Sequence, residues 1–404
     1  MVINLRGLCF IMSFVLLTSL FTTTTRAQTL GPIDGYNVYW GDLHCHSTYS
    51  ADVPSFRGKT PDELMAYARD VAKLDFLAVT DHAEAYQEDN WKKFQKTANE
   101  FYAPGKFVTF IGFEYTSMDS SGQGFDHSKP GGGHKHVIFS GNNVTSAPIS
   151  AMTTSIEELW ELLDPYEAIV IAHSPADGAL RHSTDWNYVN AEMMPLVEIY
   201  STHGSSEKAG TEEAVLGFID NRSVEYALMR WIDTGNEGYK LGIVASSDDH
   251  SGQLGNVSES SLWPPHSAGL AAVLATDKTR EAIYDALKAK RTYATTGPRI
   301  NLSFNARYGT SSAIMGETIQ TAIGEKITFN IQATGDGSPI TKIQLIKNGE
   351  ILKESISGSL EVTDIADGRS YYRAKVYQNG QGSQGSSGGL EMAWSSPIWV
   401  ETTD

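Results

Sequence analysis

The stretch 41-GDLHCHSTYS-50 sets His44 and His46 two positions apart, directly after a run that reads as a β-strand. In an extended segment, residues i and i+2 share a face. The two imidazoles therefore aim together, while Cys45 points to the other side and reads as a small buried filler. Such a pair suits two structural histidines near a strand end as well as it suits half of a metal site. The rest of the chain has to supply the partners.

From about residue 36 to 300, near-continuous apolar runs alternate with helix-like segments. The runs are 75-DFLAVT-80, 107-FVTFIGFE-114, 168-AIVIAH-173, 196-LVEIYS-201, 241-LGIVAS-246 and 269-GLAAVLA-275. Runs of this kind suit strands covered on both faces, as in a parallel sheet. Thr60-Pro-Asp-Glu63 and Ser155-Ile-Glu-Glu158 are capping boxes that start helices, and 280-REAIYDALKAK-290 is a further helix. This alternation predicts an α/β sheet or barrel. After about residue 300 the pattern shifts to short alternating strands such as 326-KITFNIQA-333. Asn348-Gly349 marks a hairpin turn, and 379–391 is a glycine- and serine-rich loop. The expected organisation is a segment 1–27, a barrel over 28–300 and a small all-β, sandwich-like domain over 301–404.

Residues 1–27 carry Arg6, an apolar run from Leu8 to Phe21 and Ala27, the pattern of a secretory signal. The apolar run is short for a membrane span, which needs ~20 residues. Cleavage and a secreted or periplasmic location are the expectation, with no stable membrane span afterwards. Of two cysteines, Cys9 would leave with this segment, so no disulfide can form in the remaining chain. A net charge of −17 argues against nucleic-acid binding, but it does not exclude a small anionic substrate once local metal charge is counted.

Metal-type side chains recur at the strand ends. His44 and His46 follow the first strand, and Asp81 and His82 follow 75-DFLAVT-80. Glu114 closes its run, His173 follows 168-AIVIA-172, and Asp248, Asp249 and His250 follow 241-LGIVASS-247. In a parallel barrel the C-terminal strand ends meet at one mouth. Five strands would then deliver imidazoles and carboxylates to one place. Mixed nitrogen and oxygen donors suit Zn, Mn or Fe. A water held between two such ions is the expected nucleophile, and no serine nucleophile is needed.

The motifs 42-DLHCHS-47, 79-VTDH-82, 112-GFE-114, 172-AHSP-175 and 246-SSDDH-250, in that order, resemble the polymerase-and-histidinol-phosphatase (PHP) superfamily. Within it they resemble the DUF3604-type branch, over roughly residues 38–300. The resemblance implies a distorted seven-stranded (β/α)7 barrel, two or three divalent metals and, for most characterised members, hydrolysis of phosphate esters. It implies His44, His46, Glu114 and Asp248 at a first metal. Glu114 would bridge to a second, held with His173 and one histidine of 131-GGGHKHVIF-139. His136 is preferred there because it directly precedes the strand, with His134 as the alternative or as a supporting partner. Asp52, His82 and His250 would hold a third. Asp81 and Asp249 read as orienting groups behind the ligands.

On the substrate side, 198-EIYSTHGSSE-207 offers His203 as a proton donor, and Arg299 and Arg181 are candidates for a phosphate. Asp126, His127 and His182 sit in polar loops and read as solvated. The resulting expectation is a metal-dependent phosphoesterase acting on a small monoester or diester. Two alternatives share the motifs: a metallohydrolase of phosphotriesters, lactones or amides, and a non-catalytic binding protein stabilised by metal.

Overall fold

The computed structural model describes residues 32–403, apart from 54–55, 57, 87, 117–131, 151–153, 181, 255–267 and 381–389. The signal-like segment, Asp126, His127 and Arg181 lie outside the described residues, as do most of the loops 118–133 and 379–391.

The first part of the chain forms β1 (Asn37–Asp42), α1 (Pro61–Asp70), β2 (Phe76–Val79), α2 (Glu88–Phe101), β3 (Val108–Tyr115), β4 (Lys135–Phe139), α3 (Ile156–Leu163) and β5 (Ala168–Ala172). It continues through β6 (Leu196–Ser201), the two-residue β7 (Gly204–Ser205), α4 (Val224–Thr234), β8 (Gly242–Ala245), β9 (Leu270–Ala275), α5 (Arg280–Lys288) and β10 (Thr292–Thr295). Both expected capping boxes form. Thr60 N donates to Glu63 Oε2 at 3.0 Å and Ser155 N to Glu158 Oε2 at 2.7 Å. Every residue of β2, β3, β5, β6, β8 and β9 is buried, as strands covered on both faces require. Gly41 is forced by packing, since a Cβ there would lie 2.3 Å from the Phe76 ring of the paired strand.

The sheet is mixed rather than wholly parallel. β1, β2 and β3 pair in parallel, as do β5, β6 and β8. Between the two sets, β4 is antiparallel to both β3 and β5. Strand β9 runs against β1, and β10 against β9. The hydrogen-bonded strand order is an open path, so no ladder closes a barrel among the described residues. β8 nevertheless lies beside β9 and β10. Gly269 N donates to Ser246 O at 3.0 Å and Thr292 Oγ1 to Ile243 O at 2.9 Å.

The C-terminal part contains β11 (Asn301–Tyr308), β12 (Ser311–Ile314), β13 (Thr318–Ala322), β14 (Lys326–Thr334), β15 (Ile340–Lys347), β16 (Glu350–Ser355), β17 (Ser359–Ile365), β18 (Ser370–Gln378), β19 (Glu391–Ser395) and β20 (Ile398–Thr403). Strands β12, β11, β14 and β17 make a four-stranded sheet, and the others extend the large sheet through β10–β19 pairing. The ladder thus runs on past residue 300. Asn348 and Gly349, at φ 48° and 82°, make the expected tight turn between β15 and β16.

A buried ion group also ties the two parts together. The Arg373 guanidinium on β18 lies 2.7 Å from both Glu207 Oε1 and Glu225 Oε2, and Lys375 Nζ lies 2.6 Å from Glu207 Oε2. Burial resists the Glu207 charge, but Arg373 and Lys375 outweigh it and hold the carboxyl at about 2. This depressed value adds stability above the unfolded carboxylate range, and the gain is lost as pH falls towards 2. Glu207→Ala leaves Arg373 with Glu225 alone, at 2.7 Å, and Lys375 with Glu212 alone, at 3.2 Å. It is expected to cost roughly 3 kcal/mol, the low end for a broken buried pair, in urea unfolding at pH 7. The gap to wild type should shrink in acid, and an unchanged midpoint at pH 7 would contradict this account.

Candidate metal centre

Chain ends of β1 and β8 are zipped together, and this builds the floor of the site. Asp42 Oδ1 accepts from His44 N and Ser247 N, both at 3.1 Å. Asp248 N donates to His44 O at 2.8 Å and His46 N to Asp249 O at 2.9 Å. Asp248 itself sits in the left-handed region at φ 54°, which aspartate tolerates better than most non-glycine residues. Cys45 is fully buried with Sγ directed at Ala78 O, matching the filler role.

The two imidazoles do aim together. His44 Nε2 and His46 Nε2 lie 3.0 Å apart. Around them stand Glu114 Oε2, at 3.6 and 3.5 Å, and Asp248 Oδ1, at 3.4 and 3.1 Å. The Asp52, His82 and His250 side chains form a second group, joined by His46. Asp52 Oδ2 lies 3.1 Å from His82 Nε2 and 2.8 Å from His250 Nε2. The Asp52 side chain is 43% exposed, so this group opens to solvent. Glu114 reaches a third group through His82 Nδ1 at 3.1 Å and His134 Nδ1 at 2.6 Å.

Several expectations need correcting. The Glu114 carboxylate meets His134, while His136 converges with His173, as expected, and with His44 and Glu198. His136 stacks on His44 with ring centroids 3.6 Å apart, and its Nε2 lies 4.0 Å from Glu198 Oε2. His134 precedes β4 and His136 is its second residue. Because β4 runs backwards, its first residues, not its last, face the strand ends that carry the ligands. His182 is buried rather than solvated, with ring centroids 4.1 Å from His134 and 4.9 Å from His203. Arg299 does not reach the cluster. Its Nη2 donates to Ala72 O at 2.9 Å and Lys73 O at 2.8 Å, before β2 and so at the end opposite His82. Its guanidinium is occupied in joining the loop after α1 to the C-terminal part.

His203 does enter the site, with Nε2 2.5 Å from Asp248 Oδ2 and Nδ1 3.8 Å from Asp177 Oδ2. Asp81 accepts from Ser47 Oγ at 2.7 Å and Tyr86 OH at 3.0 Å, and Asp249 accepts from Ser251 N at 2.9 Å and Gln253 N at 2.7 Å. Neither carboxylate joins the converging groups. Both hold loops behind them. Glu198 and Asp177 escaped the reading of the sequence. For Glu198 a signal existed: a lone carboxylate inside 196-LVEIYS-201, a strand too apolar to leave it in water.

The electrostatics match a cation site. Burial works against the Glu114 charge, yet the imidazoles of His82, His134 and His44 hold the carboxyl well below its usual range. Burial keeps His134 down at about 4 and His136 well below the ordinary imidazole value. Burial opposes charge on His44, His82 and His250 too, but facing carboxylates raise them to about 9, 10 and 9. Glu114 Oε2, Glu198 Oε2, both ring nitrogens of His136 and His182 Nδ1 are buried without a hydrogen-bond partner among the described residues. Orphaned buried donors and acceptors on this scale call for a partner, and imidazole with carboxylate fits divalent Zn, Mn or Fe.

The raised imidazoles of His44, His82 and His250 must lose protons before they can ligate. So must that of His173, where burial opposes the charge but Glu198 and Asp248 raise it well above the ordinary imidazole value. Metal uptake by metal-free protein should therefore release protons at pH 7, and affinity should rise from pH 6 to pH 8. Chelator competition at the two pH values checks this, and equal affinity would contradict it.

The family described as "Protein of unknown function (DUF3604)" matches residues 84–214 and 253–382, more than half of the chain. An uncharacterized protein of Chlamydia pneumoniae is 27% identical over 388 residues, covering 90% of this chain and 57% of that protein. One from Chlamydia muridarum is 24% identical over 392 residues, covering 90% and 58%. The chain thus spans a little under three fifths of the length of these curated relatives. Among solved structures, a complex of endonuclease Q with a 27-mer duplex carrying an abasic lesion has a TM-score of 0.37 at 14% identity, over 62% of this chain and 56% of that one. Fibronectin(III)-like modules of Clostridium thermocellum CbhA have a TM-score of 0.18 at 12% identity, over 24% and 99%. Both scores are too low to bear on fold or function.

Proposed function

The chain belongs to the DUF3604 family, and from that premise we propose that it is a PHP-like metal-dependent hydrolase of phosphate esters. The observation that carries this reading is the sharing of ligands between groups. Glu114 belongs both to the set with His44 and His46 and to the set with His82 and His134. Linked sets of this kind suit two or three ions held close together, as in two-metal hydrolases. His44, His46, Glu114 and Asp248 would hold a first ion and Asp52, His82 and His250 a third; for a second, Glu114 stands with His134, and His173 with His136.

Bound there, such ions supply an acidified water and draw negative charge from the phosphoryl group. The chain's own residues do the rest. Glu114, pressed between imidazoles, keeps its charge and fixes the spacing of the groups it joins. His203 bridges Asp177 and Asp248 and is placed to hand a proton to a departing alkoxide. Asp52 and His250 stand at the open side, where a small substrate enters. The signal-like segment 1–27 supports action outside the cytoplasm, and among the described residues no helix is long and apolar enough to cross a membrane. The withdrawal of Arg299 from the site favours a second reading on the same residues: hydrolysis of a phosphotriester, lactone or amide.

Elemental analysis and assay of p-nitrophenyl phosphate and bis(p-nitrophenyl) phosphate test the proposal. Two or three equivalents of Zn, Mn or Fe are expected, with turnover that Glu114→Ala abolishes. Metal without turnover would favour the second reading, and less than one equivalent would overturn both. His203→Asn should lower kcat about 10²–10⁴-fold for an alkyl phosphate, but far less for p-nitrophenyl phosphate, whose leaving group needs no proton.

A further inference from the structure

We infer that Glu198 is a positioning residue shared by two metal subsites, fixing the tautomers of His44 and His173 so that both present Nε2 to the cluster. The inference rests on the metal-centre reading above. Glu198 lies within β6, where every residue is buried, and is itself 1% exposed. Its Oε1 accepts from His173 Nδ1 at 2.6 Å. Its Oε2 faces His44 Nδ1 at 3.7 Å, and neither of these two atoms has a hydrogen-bond partner among the described residues.

The other nitrogen of each ring points the opposite way. His44 Nε2 lies 3.4 Å from Asp248 Oδ1 and His173 Nε2 lies 3.5 Å from Asp248 Oδ2. A neutral imidazole has one N–H, and an ionised carboxylate can only accept. His173, whose Nδ1 donates to Glu198, carries its proton there, which leaves the Nε2 lone pair for a cation. His44, with Nδ1 3.7 Å from the other oxygen, is drawn the same way by the facing charge. One carboxylate with two oxygens serves two rings. His136 Nε2, 4.0 Å from the same Oε2, competes for that oxygen but not for Oε1.

This geometry makes glutamine a harsher replacement than its shape suggests. The amide offers one acceptor and one donor group. In Glu198→Gln, one of the two Nδ1 atoms meets an N–H and must accept, which moves that ring's proton to Nε2 and removes a ligand. A packing role predicts no effect from so close an isostere.

The test measures zinc equivalents and affinity in wild type and Glu198→Gln, with circular dichroism as a control for folding. Glu198→Gln is expected to lose at least one equivalent, or roughly 10–100-fold in affinity. Imidazole 15N spectra of zinc-loaded wild type are expected to show Nδ1–H tautomers for His44 and His173. These spectra decide the matter if the variant does not fold. Full zinc binding by a folded Glu198→Gln overturns the inference alone, as does the absence of an Nδ1–H at either histidine. A wild type that binds no metal overturns the metal-centre reading together with it.

Discussion

The zip between the ends of β1 and β8 is the constraint on which the site depends. Asp42, buried and held by two backbone N–H groups, joins segments some 200 residues apart in sequence. The backbone bonds beyond it lock 44–46 against 248–249. Without that pairing, His44 and His46 would face each other but not Asp248. Burial raises the Asp42 carboxyl to about 7, against the pull of the Ser247 and His44 N–H groups. A buried acid tolerated beside a metal-type cluster indicates how strongly local geometry is specified here.

Strand direction is the second constraint. The helices α1, α2 and α4 join β1 to β2, β2 to β3 and β6 to β8, and the C-terminal ends of such parallel strands collect side chains on one side. β4 enters between β3 and β5 in the opposite sense and so contributes its beginning. This is why two histidines one residue apart, His134 and His136, serve different partners. His134 meets Glu114 at the centre, and His136 lies deeper, against His44 and Glu198. The depth also grades the chemistry, from the solvent-facing Asp52–His250 pair down to a fully buried floor.

The C-terminal strands are part of the same physical unit. They continue the large sheet from β10, and Arg373 and Lys375 reach across to Glu207 and Glu225. Glu207 closes the very segment that carries His203, so the ion group anchors one side of the site. Phe329 and Tyr372, stacked with centroids 4.0 Å apart, hold the small sheet against the large one.

Much of this was legible along the chain. Period-two spacing aimed His44 and His46 together, apolar runs marked the buried strands, and both capping boxes and the Asn348-Gly349 turn formed as read. Those features are local, decided by backbone geometry within a few residues. What the sequence could not decide was non-local: the reversal of β4, the bonds that carry Arg299 away, the burial of His182, and the recruitment of Glu198. Each depends on which distant segment lies opposite, so tertiary structure alone assigns the partner. The sequence by itself determined which side chains could ligate, and the packing of reversed and distant strands decided which of them meet.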